Sequence, residues 1–146
     1  MTRYEEFLEA KRAMAPQMGF GVSENEISDV LFPHQRDIVR WALAGGRRAI
    51  FAAFGLGKSI MQLEIMRLIL AHEGGRCLII CPLGVRQEFV RDAVLLGIEP
   101  VFVRRDEELA GDGLYLTNYE SVRDGRLSPD GFVAVSLDEA SVLRSF

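Results

Sequence analysis

Apolar positions fall at helical spacing near the start of the chain and in short unbroken runs further on. In residues 2–14, Tyr4, Phe7 and Leu8 share one face with the stem of Lys11, and Glu5, Glu6 and Glu9 lie outside it. That spacing predicts an amphipathic helix. Residues 15–29 contain Pro16, Gly19 and Gly21 and read as a loop. Pro33 suits the first turn of a second helix, Ile38, Val39, Ala42 and Leu43 form its apolar stripe, and Gly45-Gly46 ends it. From there the pattern alternates. Apolar runs at 49–53, 77–81, 100–103, 114–117 and 132–137 predict strands. Residues 58–70, closed by Gly74-Gly75, and residues 85–95 predict helices. Strands alternating with helices imply an α/β fold, a parallel sheet with helices on both faces in three layers. There is no internal repeat, low-complexity tract or interdomain linker. The expected division is an N-terminal helix and loop over 1–30 and one lobe over 31–146.

Composition narrows the class. A chain of 146 residues is one domain's worth, and 49% apolar with 26% charged residues is an ordinary globular balance. No apolar run reaches the roughly 18 residues of a membrane span. The N-terminus is acidic and amphipathic, unlike a signal peptide, so a cytoplasmic setting is expected. Cys77 and Cys81 are the only cysteines. On one strand they would stand ~13 Å apart, too far for a disulfide. They read as buried structural thiols rather than a zinc site. A net charge of −4 argues against coating nucleic acid by bulk charge and leaves a local basic patch open. The basic side chains are nearly all Arg. Lys11 and Lys58 are the only lysines.

Lys58 stands where chemistry asks for it. The segment Ala52-Ala53-Phe54-Gly55-Leu56-Gly57-Lys58-Ser59 follows an expected strand and opens an expected helix, the setting of a phosphate-binding loop. Backbone N–H groups of such a loop curl around phosphates, and the helix N-terminus adds its positive end. Gly55 and Gly57 allow close approach and positive φ. Ala52 replaces the first Gly of the strict Walker A pattern. The plainer alternative is a Gly-rich turn with an exposed Lys. A second signal lies at the end of the last expected strand, where residues 133–137 run into Asp138-Glu139. Ligands of parallel sheets bind at the carboxyl ends of strands. Asp138 there would hold Mg²⁺, and Glu139 would orient and deprotonate an attacking water. Taken alone, the pair also fits a polar turn.

Gly55-Leu56-Gly57-Lys58-Ser59 resembles the Gly-x-Gly-Lys-Ser/Thr loop of superfamily 2 helicases. Asp138-Glu139-Ala140-Ser141 resembles the DEAD and DEAH boxes of that superfamily, with Ser141 departing at the fourth position, where the family couples hydrolysis to lobe movement. Leu31-Phe32-Pro33-His34-Gln35 is similar to the Leu-x-x-Tyr-Gln of Swi/Snf-type DNA translocases, in which the Gln reads the adenine edge. Phe20 is a candidate aromatic for the adenine face. Residues 78–85, with Pro82 and Leu83 followed by Arg86, look like motif Ia. Thr117-Asn118-Tyr119-Glu120 resembles motif Ib. Arg86, Arg123 and Arg126 fit either phosphate contact or a solvated surface.

The resemblance covers Leu31 to Ser141. It implies a RecA-like lobe that binds ATP through Gln35, Gly55, Leu56, Gly57, Lys58 and Ser59. It places Mg²⁺ on Ser59 and Asp138, and catalysis of ATP hydrolysis on Lys58 and Glu139. It also implies DNA, double-stranded by the Swi/Snf likeness, held through Pro82, Leu83, Arg86, Thr117 and Tyr119. A bacterial or phage source is expected. The second RecA-like lobe, with its arginine fingers, and motif III are not in these residues, so a lobe cut off after Walker B is expected to bind nucleotide weakly and not to translocate. Two other classes stay open. One is another P-loop phosphotransferase; the other is a stand-alone nucleotide- or DNA-binding module without turnover.

Overall fold

The run Cys77-Leu78-Ile79-Ile80 lies between Gly75 and Pro82 and is apolar on both of its faces, which suits a strand covered on both sides. The computed structural model, which describes residues 2–6, 19–46 and 57–138, makes it the inner strand of a sheet. Strand β1 (Arg76–Ile80) pairs with β3 (Gly113–Thr117) on one side and β4 (Ala134–Leu137) on the other, and β2 (Val101–Phe102) pairs with β3. All pairs are parallel and the order is β2-β3-β1-β4. Ile80 is in register with both Thr117 and Leu137. The carboxyl ends of the strands therefore share one edge. The strand expected over 49–53 lies outside the described residues.

Helix α1 (Pro33–Gly45) begins on its proline, and Gly46 ends it at φ 75°. Helix α2 (Lys58–Glu73) ends at Gly74, φ 67°, and α3 (Arg86–Leu96) at Gly97, φ 71°. Each stop uses a glycine in a conformation that other residues adopt at a cost. On one sheet face, Leu63 and Met66 of α2 and Phe89 and Ala93 of α3 pack on Cys77, Ile79, Leu114 and Leu116. On the other, Leu78, Ile80 and Tyr115 are covered by Val103, Tyr119 and Leu127. Helix α1 packs on the far side of α2, joining Val39 and Leu43 to Met61 and Leu68. Helix α2 is thus enclosed on two sides, which explains why apolar residues ring it rather than forming a stripe.

The α/β order and parallel sheet match the expectation from sequence. Among the described residues, the helical cover of the second face is shorter than that of the first. It comes from a five-residue helix, α4 (Tyr119–Arg123), and from loops with 3-10 turns at Asp106–Glu108 and Pro129–Gly131. Helix α4 forms because the Asn118 side chain accepts the Ser121 N–H at 2.9 Å. Residues 3–6 are helical, and the rest of the helix expected over 2–14 lies outside the described residues. No described helix is long and apolar enough to cross a membrane.

Candidate nucleotide site

Helix α2 opens at the sheet's carboxyl edge. Its N-cap is Gly57, left-handed at φ 75°, ψ 38°, and no side chain caps it. Among the described residues no side chain caps its first turn, the setting in which helix starts can bind anions. A Cβ at position 57 would stand 2.2 Å from Gln35 Nε2. The left-handed backbone favours glycine there, and any side chain would displace the Gln35 amide. Lys58 and Ser59 follow, both half-buried. Gly55 and Leu56 of the same loop lie outside the described residues.

Gln35 is 5% exposed. Its Oε1 accepts the Phe32 N–H at 2.9 Å, which caps the start of α1, and its Nε2 lies against Gly57. The sequence singled out Gln35 as a nucleotide reader; in the structure its amide lies against Gly57, the N-cap of α2. Phe32 is 65% exposed, and its ring stacks on His34 with centroids 6.1 Å apart. It is the exposed aromatic beside Gln35. Phe20 is placed elsewhere. It stacks on His72 at 4.3 Å, in the last turn of α2. The helix rise puts that turn about 20 Å from Gly57. The expectation that Phe20 faces adenine is corrected, because its ring fastens the N-terminal segment to the far end of α2.

Asp138 follows β4 and is 6% exposed. Its backbone N–H donates to the Ile80 carbonyl at 2.8 Å, and the Tyr119 hydroxyl donates to its carbonyl. Its carboxylate Oδ1 accepts from Gln62 Nε2 at 2.8 Å. Gln62 is three residues after Ser59, so α2 brings the candidate phosphate loop and Asp138 to the same corner. Gln62 and Ser136 were not anticipated from sequence. Ser136 left a signal, a hydroxyl two residues before the acid on the same strand face; Gln62 left none, since Glu64 and Arg67 are also polar on the same helix. Glu139 and Ser141 lie outside the described residues.

The Cys81 thiol is pushed up to about 12, first by burial and then by the Asp138 carboxylate, with Arg86 pulling the other way. Cys77 is also pushed up to about 12, first by burial and then by Glu73. Both are free and buried, as expected of structural thiols.

The candidate nucleic-acid residues divide into two groups. Leu83 is exposed, Pro82 is half-buried, and the Arg86 guanidinium lies 4.1 Å from the Phe102 ring centroid, where Arg104 also approaches at 5.5 Å. These sit at the sheet's carboxyl edge, with Arg104 exposed and Arg86 half-buried against Phe102. Thr117 and Tyr119 are buried. Tyr119 spends its hydroxyl on Asp138, and Thr117 ends β3 inside the sheet. The sheet and α4 enclose both side chains. Arg123 and Arg126 pair with Asp124 at 3.2 and 3.5 Å on the exposed surface. A shallow groove of about 320 Å³ between Gly21, Arg40 and Trp41 shares no residue with the sheet-edge group.

Among the described residues no cluster of three or more His, Cys, Asp or Glu could hold a metal. The Asp138 carboxylate is a hard oxygen donor of the kind Mg²⁺ takes together with waters and substrate phosphates.

No family model and no curated protein matches the chain. Its fold is similar to that of the UvsW helicase from Bacteriophage T4, with a TM-score of 0.63 at 17% identity over 91% of this chain and 50% of that one. The chain thus spans about half the length of that protein, and the likeness carries the RecA-like α/β fold.

Proposed function

We propose that this chain is the ATP-binding lobe of an ATP-dependent DNA helicase or translocase of superfamily 2. The observation that carries the reading is the meeting of an uncapped, glycine-led helix start with a buried Asp at the end of a parallel strand. The helix start offers N–H donors and Lys58 to phosphates. Lys58 neutralises charge on the outer phosphates, and Ser59 offers a hydroxyl to their metal partner. Gln35 offers its amide beside Gly57, and Phe32 offers an aromatic face next to it. Asp138 is the metal-side carboxylate. Glu139 follows it in sequence and is assigned the water-activating role. Ser59 and Asp138 would hold Mg²⁺ there, and the ion would supply electrostatic stabilisation of the phosphates.

Leu83, Arg86 and Arg104 at the sheet edge support a nucleic-acid face, with DNA the favoured partner by the Swi/Snf likeness of Gln35 and motif Ia. A second lobe is required to complete both sites. Calorimetric titration of ADP against wild type and Lys58→Ala tests the reading. A clear drop in affinity for the variant is expected, and equal affinities would sink the phosphate-loop assignment.

A further inference from the structure

The Gln62 side chain joins two groups on β4. Ser136 Oγ donates to Gln62 Oε1 at 2.8 Å, and Gln62 Nε2 donates to Asp138 Oδ1 at 2.8 Å. An ionised carboxylate only accepts, so the NH₂ end of the amide must face Asp138, and the serine hydroxyl supplies the donor for the other end. Ser136 and Asp138 are two residues apart on an extended segment and share a face. Gln62 lies three residues after Ser59 and four after Lys58, one turn along the same side of α2. The amide therefore spans from the turn that carries the phosphate-loop side chains to the strand that carries the acid.

Packing alone does not ask for an amide here. The next residues on the sheet-facing side of α2, Leu63 and Met66, are apolar and buried. A half-buried amide is costly unless both ends are bonded, and both are. The amide is also neutral. An Arg at the same place would cancel the charge of Asp138; Gln62 fixes the carboxylate's rotation and leaves its charge intact. The second carboxylate oxygen takes no hydrogen bond among the described residues.

We propose that Gln62 is a positioning residue for Asp138, holding one carboxylate oxygen so that the other meets a divalent cation arriving with the nucleotide, with Ser136 setting the orientation of the amide. This rests on the nucleotide reading above.

The experiment is titration of ADP, in Mg²⁺ and again in EDTA, into wild type, Gln62→Leu, Ser136→Ala, Ser136→Thr and Lys58→Ala, each first checked for a wild-type circular dichroism spectrum. Gln62→Leu is expected to weaken ADP about tenfold in Mg²⁺, the scale of a lost hydrogen bond to a charged group, and to leave affinity in EDTA unchanged. Ser136→Ala is expected to act in the same direction by about threefold, as for a neutral hydrogen bond, and Ser136→Thr to restore the wild-type value. Lys58→Ala should lose affinity in both media. An equal loss in both media for Gln62→Leu, or none in Mg²⁺, would overturn the proposal. If that variant does not fold, the two Ser136 variants decide it, and the same Mg²⁺ dependence in both as in wild type overturns it. Absence of any ADP binding by wild type in either medium removes the nucleotide reading and this proposal with it, a result distinct from the others.

Discussion

Two carboxylates are buried against α2, and they are held in opposite ways. Glu64 is 0% exposed. One of its oxygens takes the Arg67 guanidinium and the other takes the Ser28 backbone N–H. Arg67 also donates to the Glu26 carbonyl at 2.8 Å, and His72 reaches the Glu26 carboxylate at 3.0 Å. Charge is cancelled, both oxygens are used, and the segment before α1 is clasped to the helix. Asp138 is 6% exposed, and one oxygen receives a neutral amide. No cationic side chain among the described residues pairs with it. A buried charge without a counterion is expensive. The contrast separates a carboxylate whose charge is cancelled within the lobe from one that has no counterion among the described residues.

Substitutions can break or sharpen that contrast. The largest effect is expected from Arg67→Ala, which strands the Glu64 charge inside the protein. Urea unfolding should show a loss of about 3 kcal/mol. A loss under about 0.5 kcal/mol, the size expected of an exposed pair, would mean that Glu64 is not held by charge. Gly57→Ala comes next. A side chain there meets both a left-handed φ and Gln35 Nε2, so a loss of about 2 kcal/mol is expected, together with weaker ADP binding. Full wild-type stability in this variant would show that the loop end is not fixed as described.

The thiols give a third effect through pH. Both cysteines are held up at about 12 in the fold. In the unfolded chain they titrate near an ordinary thiol value of about 8.5. The raised folded value means their stabilisation is complete below that pH and is lost as pH rises toward 12. Urea midpoints measured from pH 8 to pH 10 should fall, and the fall should shrink in Cys77→Ala and Cys81→Ala. Unchanged slopes in both variants would refute it. The smallest effect is expected from Arg126→Ala at the exposed Asp124 pair, within about 0.5 kcal/mol. It calibrates what an ion pair contributes at the surface, against which Arg67 is read.

Much of this was legible in the sequence, for identifiable reasons. The strand at Arg76–Ile80 follows from an apolar run between Gly75 and Pro82, and the helix stops at Gly46 and Gly74 follow from glycine's freedom. Asp138 was visible as an acid directly after an apolar strand, at the carboxyl edge of a parallel sheet. Glu64 and Gln62 were not, since a polar residue within a helix reads as solvent-facing until a second layer covers it. Helix α4 was too short for any periodicity and hangs on the Asn118 cap. Thr117 and Tyr119 matched a motif by residue type, while their burial depends on α4 and β1. Phe20 was assigned by proximity to Gln35 in sequence, and the ring of His72 claims it in space.

The most direct measurement of the central claim is ADP affinity in Mg²⁺ and in EDTA for wild type and Asp138→Asn. The amide can still accept from Gln62, so the fold should be as stable as wild type or slightly more so. Wild type should bind ADP more tightly in Mg²⁺ than in EDTA, and Asp138→Asn should bind equally in both, with the EDTA affinity of wild type. A variant that keeps the full Mg²⁺ gain would contradict the account, because the carboxylate left unpaired in the fold would then have no cation to meet.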